Sequence, residues 1–223
     1  YAVLRAMRDF GNGASTIGFM GTAVNRRIDD PRLDFLRTAA YAGGLDVAHR
    51  FGQRRYLAYA SLAFSRIEGD TLAIQAAQRS SARYFQRPDA GNVEYDGTLT
   101  SLSGWTAALG FSKEQGATTY RVGAKASSPG FEINDLGYQS RSDRVSIPLG
   151  ATHRWTRPGR VFRSASVYAN GAIGWNFDGD RVQTSASISA NGQLLNFWSL
   201  NAGFNRGFRI VSDGLLRGGP AGV

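Results

Sequence analysis

The sequence predicts an all-β chain, an antiparallel transmembrane β-barrel, on three observations. Segments of about 10 to 16 residues between turn signals alternate apolar with small or polar side chains at period two. Soluble sandwich strands usually run about five or six residues, whereas a strand tilted by about 45° needs roughly ten to cross a bilayer's hydrocarbon core. Aromatic residues also gather near segment ends, as in Tyr84-Phe85, Trp155, Trp175-Asn176-Phe177 and Phe197-Trp198, where interfacial girdles sit. Composition agrees: 28 Gly and 12% aromatics beside only 6 Pro and 2 Met suit many strands. The mean hydropathy of −0.28 is polar for a membrane protein but says little, because a barrel turns only alternate residues away from water.

Along the chain, Asn12-Gly13 marks a first hairpin turn. From Tyr41 to Phe51 one face reads Tyr41, Gly43, Leu45, Val47, His49 and Phe51. The other reads Ala42, Gly44, Asp46, Ala48 and Arg50. Tyr56 to Arg66 and Leu72 to Gln78 follow, each with one mostly apolar phase, flanking a turn expected at Glu68-Gly69-Asp70. Leu99 to Phe111 sets Trp105, Leu109 and Phe111 against Thr100, Gly104 and Gly110, and Glu114-Gln115-Gly116 turns it into Tyr120 to Ala126. Val145 to Trp155 places Ile147, Leu149 and Trp155 opposite Ser146, Gly150 and Arg154, and Arg157-Pro158-Gly159 leads on to Arg163 to Phe177. Asp178-Gly179-Asp180, Thr184 to Ala190, Asn191-Gly192 and Trp198 to Phe204 complete the pattern. The count is about eleven strands, and because bacterial single-chain barrels have even counts, an odd number predicts a portion of a larger up-and-down barrel. The longer connections, Arg27 to Phe35, Pro88 to Thr98 and Pro129 to Asp143, are expected not all to fall on one side of it.

Charge and composition exclude several classes. The formal net charge is +9 and all but two of the 26 basic residues, Lys113 and Lys125, are Arg. They are scattered, without the tract or basic helical face that follows phosphates, so no nucleic-acid partner is expected. No apolar run is long enough for a membrane helix, and Tyr1-Ala2-Val3-Leu4-Arg5 does not begin a signal peptide. With no Cys, disulfides, thiolate metal sites and cysteine nucleophiles are excluded.

The candidate site residues fall into two groups. Asp46, Arg50, Gln75, Arg79, Arg121 and Lys125 share the polar phase and are expected in the lumen, where such charges either line a water-filled path or pair across a packed interior. An open lumen with more Arg than Asp favours a small anionic solute. In the long loops, Tyr95 could stack on a sugar ring, and Glu132, Asn134 and Asp135 could bind Ca²⁺ or sugar hydroxyls. Their spacing matches no calcium loop, and oxygen side chains in such loops more often hold the loop's own amides. His49 and His153 fall on the apolar phase near strand ends. They read as girdle residues, with no Ser evidently beside them to make a dyad. No metal site, cofactor or catalysis is expected.

Three stretches, Arg83-Tyr84-Phe85-Gln86-Arg87-Pro88-Asp89, Thr100-Ser101-Leu102-Ser103-Gly104-Trp105 and Ser128 to Tyr138, together with Leu216-Arg217-Gly218-Gly219-Pro220, resemble a family of unknown function found in Gram-negative outer-membrane proteins. In that family a C-terminal β-barrel follows a domain similar to family 9 carbohydrate-binding modules. The resemblance implies an outer-membrane location, contact with outer-membrane lipid, a role in handling carbohydrate or another nutrient, and no catalytic residues. It also implies that residues 1–223 form a single barrel domain or barrel fragment, with the carbohydrate-binding-like domain and the signal peptide upstream of Tyr1. The function expected is therefore an anchor for that domain that passes or binds a small solute. The alternatives are a soluble β-sandwich or jelly-roll binding module, whose apolar phases would face each other, and an outer-membrane hydrolase of lipid or glycan. The oligomeric state is left open by the sequence.

Overall fold

A computed structural model describes residues 1–223. Ten strands form one antiparallel up-and-down sheet in sequence order. They are β1 (Ala2–Phe10), β2 (Ser15–Asn25), β3 (Arg37–Phe51), β4 (Tyr56–Gly69), β5 (Ser101–Lys113), β6 (Thr118–Ser127), β7 (Arg144–Trp155), β8 (Phe162–Trp175), β9 (Arg181–Leu194) and β10 (Ser199–Gly207). The sheet is open, because β1 pairs only with β2 and β10 only with β9.

The count is ten, not eleven, because residues expected as a strand at Leu72 to Gln78 form helix α1 (Thr71–Arg79). Asp70 caps it by accepting from the Leu72 N–H at 3.0 Å, which satisfies one of the four free donors of a helix start. The segment is Ala-rich, and Ala73, Ile74, Ala77 and Gln78 are buried on one helical stripe. Glu68-Gly69-Asp70 is therefore a strand-to-helix junction and not a hairpin turn. Asn191-Gly192 lies inside β9, where a Cβ on Gly192 would sit 2.7 Å from the Phe162 ring. The turn itself is Leu195–Trp198, between β9 and β10.

Antiparallel neighbours place alternate connections at opposite ends. At one end lie the tight turns Gly11–Ala14, Gly52–Arg55 and Glu114–Ala117, with Thr156–Val161 and Leu195–Trp198. At the other lie Arg26–Leu36, Asp70–Thr100, Ser128–Asp143 and Asn176–Asp180, followed after β10 by residues 208–223. All the long connections therefore share one end, contrary to the expectation that they would be split. The miscount followed from the false strand at 72–78, which inverted the apparent direction of everything after it.

The registers put the two phases on two faces. The apolar face carries Leu45, Leu62, Leu109, Val122, Leu149 and Ile188, all exposed, in matched rows such as Leu45↔Leu62 and Phe111↔Val122. No second layer covers it. Only 24 of the 223 residues are buried, so the apolar residues do not form the double-sheet core of a sandwich. The one hydrophobic cluster lies on the polar face at the long-connection end, where Val24, Ala40, Ile67 and Leu102 of the sheet meet Ile74, Ala77 and Phe85. Phe85 belongs to this cluster and not to an aromatic girdle.

Candidate functional site

Seen from the polar face, α1 and the long connections form a cap over one end of the sheet. Gly104 of β5 has no side chain, and a Cβ there would lie 2.1 Å from the Phe131 amide nitrogen. The backbone of Gly130-Phe131 therefore lies directly on the strand. The Glu132 N–H donates to Ser65 Oγ of β4 at 2.9 Å, and Ser128 Oγ accepts from the Trp105 N–H at 2.8 Å. Small and hydroxyl residues on the polar phase thus serve as a docking floor for a loop.

Ion pairs lock the cap. Arg83 and Glu132 side chains, 0% and 1% exposed, meet at 2.7 Å. Arg83 also donates to the carbonyls of Ala77, Pro129 and Phe131, so it joins the end of α1 to the 128–143 loop with its charge fully used. Burial alone would raise the Glu132 carboxyl, but Arg83 and Arg37 beside it hold it below its ordinary value. Burial lowers the Arg83 guanidinium against the attraction of Glu132, and an arginine so lowered still stays charged. Asp135 bridges Arg37 at 2.5 Å and Arg26 at 2.7 Å, tying in the ends of β2 and β3. A second cluster gathers Arg87, Arg141 and Arg144 around Asp178 and Asp213.

The expected loop ligands are consumed by this architecture. Glu132 and Asp135 are ion-paired, and Asn134 accepts from the Gln139 N–H at 2.7 Å while its own N–H donates to Glu132. Glu132 and Asn134 thus each accept from an N–H of their own loop, as one alternative had it, whereas Asp135 is turned to Arg26 and Arg37. Tyr95 packs against the hydrophobic cluster with the Arg79 guanidinium 4.4 Å from its ring centroid, so that ring is already stacked. Gln75 and Arg79 sit on α1 and not on a strand, and Gln75 donates to the Gly97 carbonyl at 2.9 Å. They belong to the cap, because the segment takes the helical period.

Asp46, Arg50, Arg121 and Lys125 do lie on the polar phase of β3 and β6. Asp46 pairs with Arg5 of β1 at 2.5 Å and Arg50 with Glu114 at 3.3 Å, while Arg121 donates to Asn170 Oδ1 at 2.9 Å. The Arg5–Asp46 pair lies flat on Gly18, where a Cβ would meet both side chains. Between this pair and the Phe131–Gly137 loop runs a cleft of about 470 Å³, floored by Thr22, Ala42, Gly44 and Ala63 and roofed by Phe131, Ile133 and Leu136. A groove of about 600 Å³ on the opposite, apolar face lies among Tyr41, Phe64 and Trp105, with Arg66 as its one charged lining residue, paired with Glu68 at 2.6 Å. The cleft is the better candidate for a small molecule, because it joins apolar contact to oriented charges and hydroxyls.

The histidines have partners that the alternation did not reveal. His49 Nδ1 lies 2.8 Å from Ser15 Oγ, and His153 Nδ1 lies 2.7 Å from Thr118 Oγ1. Both are directly opposed pairs between adjacent strands, so register, invisible within one strand, was the missing signal. Neither imidazole hydrogen-bonds a carboxylate that would orient it as a base, and the arrangement repeats with Thr in place of Ser. It reads as cross-strand pairing at the edge of an aromatic row. No group of three or more His, Asp or Glu side chains is placed to hold a metal ion.

Residues 62–213 match a family described as a domain of unknown function (DUF5916). The chain belongs to this family. The match runs from β4 through β10 and into the segment carrying Asp213, so it includes α1, the cap and the second arginine cluster. Neither a curated protein nor a solved structure matches the chain.

Proposed function

We propose that this DUF5916 sheet is the wall of an outer-membrane β-barrel that anchors an upstream carbohydrate-binding-like domain and passes or binds a small solute, without catalysis. One observation carries the reading: an uncovered apolar face bounded by two rows of aromatic side chains. One row holds Phe51, Tyr56, Phe111 and Tyr120, stacked or tilted at centroid distances of 5.5 to 6.2 Å, with Trp155 further along. The other holds Tyr41, Phe64, Trp105 and Trp175. Tyr41 to Phe51 is ten steps of about 3.3 Å, or roughly 23 Å upright at a tilt of about 45°. Membrane barrels show an apolar band about 25 Å tall between such girdles. The faces of β3 to β9 between these rows carry no charge, and the Arg66–Glu68 pair lies beyond the Phe64 row.

On this reading the cap sits inside the barrel at the end with long loops, which in outer-membrane barrels is the extracellular one. Solutes then pass or dwell at the cleft beside Arg5 and Asp46. Backbone groups at a free edge are costly in hydrocarbon, so the edges of β1 and β10 must be paired, with each other or with further strands. The soluble sandwich is disfavoured by the absence of anything packed on the apolar face.

The test is outer-membrane fractionation followed by a denaturing gel run with and without boiling. A barrel is expected in that fraction with a heat-dependent mobility shift. A freely soluble protein without the shift removes the lipid-facing assignment.

A further inference from the structure

We propose that Arg87, Arg141 and Arg144 form a binding site for the carboxylate group of a small organic acid, occupied in this structure by Asp213 as a tethered stand-in. Arg144 grips the Asp213 carboxylate with both Nη atoms, at 2.6 and 2.7 Å, and Arg141 Nη2 adds a third contact at 2.5 Å. Arg87 Nη1 faces the other oxygen, Oδ2, at 4.0 Å. Three guanidinium forks converging on one carboxylate is the geometry by which proteins recognise planar anions.

The cluster holds more donors than Asp213 can satisfy. Arg87 is 2% exposed, and its Nε and Nη1 have no hydrogen-bond partner. Asp178 does not fill the gap, because it takes one contact from Arg87 Nη2 at 3.2 Å and otherwise accepts from the N–H groups of Gly91 and Asn92. Burial lowers the Arg141 guanidinium against the attraction of Asp213, and the neighbouring charges of Arg144 and Arg87 add to the lowering. Unpaired buried donors are rare in native proteins, and of the two here Nη1 faces the anion position, 4.0 Å from Asp213 Oδ2.

Apart from Asp213 itself, the segment that carries the stand-in has few ties to the rest of the protein. Residues 208–223 reach the rest of the protein through Phe208 N–H to Thr184, Val211 N–H to Arg181 and Ala221 N–H to Asp89. Apart from these and the Asp213 bonds to Arg144 and Arg141, the segment bonds to itself, through Ser212 and Gly222 and two internal turns. Leu215 and Leu216 are exposed and anchor nothing. Lifting the segment breaks the three Asp213 bonds and those three backbone contacts, and leaves the carboxylate position between the arginines free at the long-connection end. The site is independent of the membrane assignment, since none of its residues lies on the apolar face.

The experiment is titration of the purified full chain with sodium acetate by calorimetry at fixed ionic strength, with chloride and inorganic phosphate as controls. In the native chain Asp213 competes at an effective concentration on the order of millimolar, so acetate binding is weak. Asp213→Ala is expected to bind acetate saturably and at least about tenfold more tightly than the native chain. Adding Arg144→Ala or Arg87→Ala to that variant should abolish the gain. If Asp213→Ala does not fold, Asp213→Asn, which keeps the side chain's shape, is expected to gain acetate binding in the same direction. The proposal is overturned if neither variant gains saturable binding, if the gain survives loss of Arg144 and Arg87, or if chloride or phosphate binds as well as acetate.

Discussion

The two ends of the sheet are built on opposite principles. At the tight-turn end every feature is local: neighbouring strands turn over four to six residues, aromatic rings from adjacent strands touch, and the Gly52–Arg55 turn is made by three successive residues with positive φ, Gly52, Gln53 and Arg54. At the long-connection end almost nothing is local. Arg83 meets a glutamate in another loop, Asp135 joins the ends of β2 and β3, and Asp213 reaches back to β7. The first end needs only pairing and a turn, whereas the second needs several connections to arrive together. The cap should therefore melt more readily than the strands beneath it.

The sharpest way to break this contrast is Glu132→Ala. It leaves Arg83 buried and unpaired, and breaking a buried pair costs about 3–5 kcal/mol. The melting temperature should fall steeply, whereas Asp46→Asn on the half-exposed Arg5–Asp46 pair should cost about 1 kcal/mol or less. Comparable thermal melts of the two variants would end the distinction between cap and wall.

Leu109→Arg is the next largest test. Leu109 is 60% exposed at the middle of the apolar face, so in water the change should move stability by about 0.5 kcal/mol or less. Facing lipid near the midplane it should cost about 2–4 kcal/mol. Unfolding from bilayers separates the two.

Gly104→Ala places a Cβ against the backbone at Phe131, a clash with no flexible side chain to yield, at about 1–3 kcal/mol. The expected readout is protease cleavage within residues 128–143 while the strands keep their heat-dependent gel shift.

Acid should give a smaller, reversible version of the same loosening. Burial would raise Asp213, but Arg144 and Arg141 hold it below its ordinary value, and Glu132 is likewise lowered. The stability such groups contribute is complete above the usual carboxylate range of about 4 and is lost as pH falls through their lowered values. Cleavage in the 128–143 loop should rise below about pH 4 and not between pH 5 and 8.

The strands were legible in the sequence because β alternation is a property of consecutive residues: Tyr41 to Phe51 and Val145 to Trp155 show their faces with no knowledge of neighbours. The largest misreadings share one cause. Leu72 to Gln78 is too short for its alternation to be told from a helical stripe, and only the Asp70 cap and the contact of Ile74 and Ala77 with Ile67 and Leu102 decide for helix. That one error shifted the strand count, the sides of the loops and the placement of Gln75 and Arg79.

Family resemblance, all-β class, antiparallel order and the two-phase pattern were therefore fixed by residues near one another in the chain. Tertiary structure alone decided that Glu132 pairs with Arg83 and Asp135 with Arg26 and Arg37, that His49 finds Ser15, and that three arginines far apart in sequence converge on Asp213. The physical reason is range. Periodicity and turn chemistry act over a few residues, whereas the pairing of buried charges is set by which connections meet on the polar face, and no stretch of sequence carries that distance.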